Sequence, residues 1–161
     1  MSKLADKIIA IAEKEIGISE VGTSNCGQRV DEYKAATNLP PHESWPWCSA
    51  FVDWCVREAM KGGTYTFKRP TTAGAWDLER WSREQDESTQ TKRDPGSDIK
   101  PGDIVIYRFS HVGIAHSSPN ADGYFRAVEG NTNDAGSREG GSVLLKVRNI
   151  NKVKARIRFT V

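Results

Sequence analysis

At 161 residues the chain has room for one domain with a buried core and needs neither disulfide nor metal staples. Lys and Arg outnumber Asp and Glu by only 23 to 21, and the charges are scattered outside one basic C-terminal stretch, which argues against nucleic acid as a main partner. Five Trp, four Tyr and five Phe supply bulky anchors, as expected of a folded globule rather than a disordered chain.

Apolar residues at 4, 8, 11, 12 and 16 predict an amphipathic first helix that Gly17 ends. Asp6, Lys7, Glu13, Lys14 and Glu15 interrupt it, so it reads as neither the core of a signal peptide nor a membrane span. The expectation is a protein made in the cytoplasm without a signal peptide and without membrane insertion. "GISEVGTSNCGQRVDEYKAATNLPP" then reads as a loop, a short helix carrying Val30, Tyr33 and Ala36, and a stop at Pro40 and Pro41. Cys26 lies in the loop beside Gly27, with no base near it in sequence. Three cysteines is an odd number, so at least one thiol is free, and a disulfide framework is not expected.

The next stretch, "ESWPWCSAFVDWCVREAM", places Cys48 and Cys55 in one pattern. Pro46 sets a turn, and from Cys48 the positions Phe51, Val52, Trp54, Cys55, Val56 and Ala59 fit a mostly buried helix closed by Gly62 and Gly63. A further helix is predicted over 73–83. The polar run "SREQDESTQTKRDPGSD" at 82–98 reads as a surface loop, a candidate lid or specificity insertion.

From there the period changes. "GDIVIYRF", "HVGIAHSS", "GYFRAVEGN", "GSVLLKVRN" and "ARIRFTV" are β-rich runs separated by turn residues at Pro119, Asn120, Gly123, Gly140 and Gly141. Helices first and strands afterwards predict an α+β fold, N-terminal helices packed on an antiparallel sheet, in a single domain over 1–161. In the tail "KVRNINKVKARIRFTV" the charges alternate with Val and Ile from Lys152 onward, which predicts a last strand whose cations face solvent, with a weak affinity for acidic polymers as the alternative.

A thiol at a helix N-terminus gains thiolate stabilisation from unpaired N–H groups and the positive end of the dipole. Cys48 has that position; Cys55 lies two turns inside among Phe51, Val52, Val56 and Ala59 and reads as a small core hydrophobe. A nucleophilic Cys also needs a base and a group that orients the base. His111 opens the run "HVGIAH"; His116, an odd offset of five away, belongs on the opposite strand face; His42 sits in a proline-rich loop, a poor mount for a base. In "AVEGNT", Glu129 and Asn131 share a face by period 2, and either is a candidate acceptor for the far nitrogen of His111. A hairpin turn with no catalytic role fits the same residues.

Taken in order, "WPWCSAFVDWC", "KPGDIVIYRF" with "SHVGIA", and "VEGNT" resemble the signature of the CHAP domain, the cysteine, histidine-dependent amidohydrolase/peptidase branch of the NlpC/P60 superfamily. "EIGISEVGTSNCGQRVDEY" resembles the segment that precedes the cysteine in many such domains, so the likeness spans roughly residues 4–160. The resemblance implies a papain-like fold and hydrolysis of an amide bond in bacterial peptidoglycan, either the sugar–peptide amide or a bond within the peptide or cross-bridge. It implies Cys48 as nucleophile, His111 as general base, Glu129 as the acid that orients it and Asn131 as a further polar residue of the site. Some members carry an Asp-rich calcium loop upstream of the cysteine; "NLPPHESWPW" lacks that cluster, so no metal is expected, and the chemistry requires no cofactor.

Substrate contacts are expected from the groove. Trp45 and Trp47 are candidates to stack on sugar or peptide, with core packing the favoured alternative for Trp47, and Trp76 closes the 71–76 region that, with 82–98, is the place for substrate choice. The expected partner is peptidoglycan, met by a monomer after release, injection or as part of a virion. Two other readings remain: a silent wall-binding or virion structural module with the same fold, and a cysteine peptidase acting on proteins.

Overall fold

The computed structural model describes residues 2–132 and 141–161. Helix α1, Lys3–Lys14, starts where the Ser2 hydroxyl accepts the Ala5 N–H at 3.1 Å, and it buries Leu4, Ile8 and Ala12 along one face. Helix α2, Gln28–Lys34, follows. The buried carboxylate of Glu15 joins the two helices by accepting from Arg29 at 2.7 Å and from the Tyr33 hydroxyl at 2.7 Å. Helix α3, Cys48–Met60, is the axis of the core, with Cys48 through Val56 all buried. Apolar residues on nearly every side explain why it lies between the other helices and the sheet.

After helix α4, Asp77–Arg83, come β1 Thr89–Arg93, β2 Ile104–Tyr107, β3 Val112–Ala115, β4 Tyr124–Thr132, β5 Ser142–Asn149 and β6 Val153–Phe159. Among the described residues these form one antiparallel sheet in the order β1-β6-β2-β3-β4-β5. Ile104, Ile106, Val112, Ile114, Val128 and Ile157 point into the main core with the helices. Val105, Tyr107, Ala115, Phe125, Ala127 and Val153 form a smaller cluster. Burial on both faces explains the unbroken apolar run of "IVIY". The architecture is α+β, as the sequence predicts. No described helix is long and apolar enough to cross a membrane.

Several local expectations are corrected. The polar run at 82–98 contains a strand, β1, paired with β6 along its whole length. Its Thr89 and Thr91 turn toward Ser82, whose backbone O and Oγ they meet at 3.0 and 2.6 Å, while Gln90, Lys92 and Arg93 are exposed. Charged side chains are a usual dressing for an edge strand, and they hid it. The last strand expected in the basic tail is β6, but its cations do not all face solvent: β6 lies between β1 and β2, and Arg156 is buried, donating to Asp98 Oδ2 at 2.9 Å. Arg158 donates to both carboxylate oxygens of Asp103 at 2.9 and 2.8 Å. Helix α4 begins at Asp77 rather than 73, because Thr72 and Gly74 give their carbonyls to the Ser49 hydroxyl at 2.9 and 3.4 Å as the chain crosses α3. The turn expected at Gly140 lies outside the described residues.

Candidate active site

Cys48 is the first residue of α3 and 4% exposed. No side chain caps this helix, so the N–H groups of its first turn have no acceptor within it. His111 follows the tight connection from β2 to β3, where Ser110 takes a left-handed φ of 57° and Tyr107 N–H donates to His111 O at 2.9 Å. The imidazole is fully buried. Its Nε2 donates to Glu129 Oε1 at 2.9 Å, so the nitrogen left for Cys48 is Nδ1, which is buried without a hydrogen-bond partner. Burial lowers the imidazole pKa, but hydrogen bonding and charge interaction with Cys48 and Glu129 outweigh it and raise the value from 6.5 to about 9.

Glu129 has no exposed surface and a full set of donors. Besides His111 it accepts from the Tyr107 hydroxyl at 2.8 Å and from two nitrogens of Arg148, Nε at 2.8 Å and Nη2. Burial pushes the carboxyl up; the hydrogen bonds and charges of Arg148 and His111 win, and the net shift is downward. Rings stack beside this cluster: Tyr107 and Phe109 lie 5.9 and 5.7 Å from the His111 ring, nearly parallel to it, and the Arg148 guanidinium sits 5.1 Å from the Tyr107 centroid.

Two glycines set this geometry. A Cβ at Gly113 would lie 2.6 Å from Glu129 Cγ, so the absence of a side chain there lets the carboxylate cross β3. A Cβ at Gly130 would meet Phe51 Cβ at 2.7 Å and Trp47 Cζ3 at 2.9 Å, so β4 approaches α3 with no room for one methyl group.

The remaining candidates divide. Asn131 is fully buried, with neither side-chain atom hydrogen-bonded, but it does not continue the face of Glu129: the β4–β5 register shifts between Glu129 and Thr132, and Asn131 has φ 55°. That bulge breaks the period-2 parity expected of the pair. Trp47 is corrected as a substrate contact. It is fully buried, stacked on Tyr33 at 5.6 Å, and its Nε1–H donates to Glu20 at 2.9 Å. Trp45 is half-buried under the Lys34 ammonium and bonded to Pro40 O. Trp76 is 47% exposed, and its Nε1–H donates to Tyr107 O at 3.1 Å. Cys55 is buried and burial pushes its thiol well up; Cys26 is a free, half-buried thiol. His42 is exposed beside Asp31, and His116 pairs with Glu13 of α1.

Sequence reasoning missed Arg148 and Tyr107, whose only sequence signal is the alternation of β-rich runs. It also missed Asp53, fully buried in α3 with neither oxygen hydrogen-bonded. Burial, against the opposing charge of Arg69 and with that of Cys48, pushes the Asp53 carboxyl well up. Among the described residues no group of three or more His, Cys, Asp or Glu side chains is placed to hold a metal ion.

A family model described as the CHAP domain matches residues 40–131, more than half of the chain. The chain belongs to the CHAP domain family. The matched span holds Cys48, His111, Glu129 and Asn131 but stops short of Arg148. Among solved structures, the crystal structure of a wild type endolysin, LysIME-EF1, is similar to this chain with a TM-score of 0.59 and 22% identity over 98% of its length. At that identity the likeness is one of fold. The CHAP chain spans 64% of the length of that endolysin. No curated protein matches it.

Proposed function

We propose that this CHAP domain hydrolyses an amide bond of bacterial peptidoglycan, with Cys48 as nucleophile, His111 as acid and base and Glu129 as the group that orients His111. The observation that carries this reading is one arrangement: a buried thiol at an uncapped helix start, beside an imidazole whose far nitrogen is tied to an ionised carboxylate. With its pKa raised to about 9, His111 is an imidazolium at neutral pH and places a positive charge beside the Cys48 sulfur.

The sulfur attacks the amide carbonyl, and N–H groups of the first α3 turn are suited to the developing oxyanion. His111 protonates the leaving amine, which departs as a new amino terminus of a peptide, while the acyl part, from the sugar's lactyl group or from a peptide, stays on Cys48 as a thioester. Water then adds to the thioester with His111 as base, releasing a carboxylate and the thiol. Asn131, buried and unpartnered two residues beyond Glu129, is proposed as a further polar contributor at this strand end. The structurally similar protein is named an endolysin, which supports a wall substrate met after lysis, injection or from a virion.

Mass spectrometry of purified walls after digestion tests the reading and identifies the bond, as amidase or endopeptidase. New amino termini are expected with wild type, and Cys48→Ala is expected to reduce their release by more than about 1,000-fold. Equal release by both proteins would sink the assignment.

A further inference from the structure

The strand end that carries His111 continues into a cationic groove. Tyr107 stacks on His111 and bonds Glu129, and its carbonyl fixes the indole of Trp76. From Trp76 a groove of about 450 Å³ runs past Glu79, Arg80, Arg83, Arg93 and Lys154. Of the acids there, Glu79 is buried and accepts two hydrogen bonds from Arg93 at 2.9 Å, with Arg83 at 3.8 Å, while Asp77 is exposed at the groove and in no ion pair among the described residues. Arg80 is exposed, Lys154 is half-exposed with its ammonium 4.3 Å from the Trp76 ring centroid, and neither is in an ion pair among the described residues.

An indole left nearly half exposed in a groove whose four cations outnumber its two acids has a flat apolar surface and a positive edge to offer a ligand. We propose that this groove is a substrate subsite for a carboxylate-bearing part of the peptidoglycan stem peptide, with Trp76 covering its aliphatic and amide portion and Arg80 and Lys154 taking the carboxylate. This rests on the reading of the chain as a peptidoglycan hydrolase. The link through Tyr107, whose carbonyl holds Trp76 and whose ring stacks on His111, argues for an occupant that is part of the same substrate as the amide at Cys48. Two free cations suit one or two carboxylates rather than a long polyanion, for which a wider unpaired basic surface is the expected partner.

The test uses the full chain, its Arg80→Gln/Lys154→Gln variant, and two soluble cross-linked muropeptide substrates that carry both the sugar–peptide amide and the peptide and cross-bridge bonds and differ only in whether their side carboxyls are free or converted to carboxamides. Wild type is expected to show a KM about 10-fold lower for the free-carboxylate form, the value of one charge-assisted contact. In the variant that preference is lost while kcat stays within about twofold, since the change acts on ground-state and transition-state binding alike. A variant that keeps the wild-type preference, or a wild type with none, overturns the subsite. Should wild type hydrolyse neither substrate, the hydrolase reading fails instead. The subsite is then decided by tryptophan fluorescence titration with the dipeptide L-Ala-γ-D-Glu: weaker binding by the variant supports it, equal binding overturns it.

Discussion

Glu129 and Asp53 are both carboxyl groups with no solvent exposure, and the protein holds them in opposite states. Glu129 is met by His111, Tyr107 and two nitrogens of Arg148, and stays ionised. Asp53 has no hydrogen-bond partner, and burial, with the charge of Cys48, outweighs that of Arg69 and pushes it toward the neutral acid. Burial imposes the same cost on both; donors placed by neighbouring strands decide which one carries charge. A buried carboxylate in this fold therefore keeps its charge where donors are placed to meet it, as at Glu129, and loses it where none is, as at Asp53.

The contrast can be broken first at Glu129. In steady-state assays Glu129→Gln is expected to lower kcat by about 100- to 10,000-fold, the range for loss of acid–base function, because the imidazolium loses its counter-charge. Arg148→Met comes next: it leaves the carboxylate buried beside a single cation, and a denaturation curve is expected to show a loss of about 3 kcal/mol, with activity reduced alongside. A pH profile sharpens the comparison further. Because the folded pKa of His111 is raised from 6.5 to about 9, its contribution to stability is fully present below 6.5 and is lost as pH rises through about 9, and the alkaline limb of activity is expected there. Rates still rising beyond that limb would contradict the imidazolium assignment.

The smallest effect belongs to Asp53. Its raised pKa means that the folded state holds a proton the unfolded chain releases, so the group lowers stability increasingly as pH rises above 3.8. Asp53→Asn is expected to raise the thermal midpoint by a few degrees at neutral pH, with a gain that vanishes on acidification and with kcat changed by less than about twofold. An Asn variant that melts lower at neutral pH would show that Asp53 is ionised and paired in the folded protein.

The helix that mounts Cys48 and the strands that carry His111 and Glu129 were legible in the sequence, because apolar period and helix-start position are local properties. Arg148 was not: it lies 19 residues from Glu129, and its role appears only when β4 and β5 pair in register. β1 was hidden for another reason. An edge strand buries one face, and Thr89 and Thr91 bury theirs with hydroxyl groups, so hydropathy sees only a polar run. The parity of Glu129 and Asn131 failed because a bulge consumes one residue of β4, an event that alternation counting has no means to register.

Gly130 gives this family member a mechanical constraint of its own. Cys48 rides on α3 and Glu129 on β4, and the two elements touch where Gly130 meets Phe51 and Trp47. An alanine there would act as a shim, forcing apart the helix that carries the thiol and the strand that carries the carboxylate. The approach of these two elements is thus set by an atom left out of the chain.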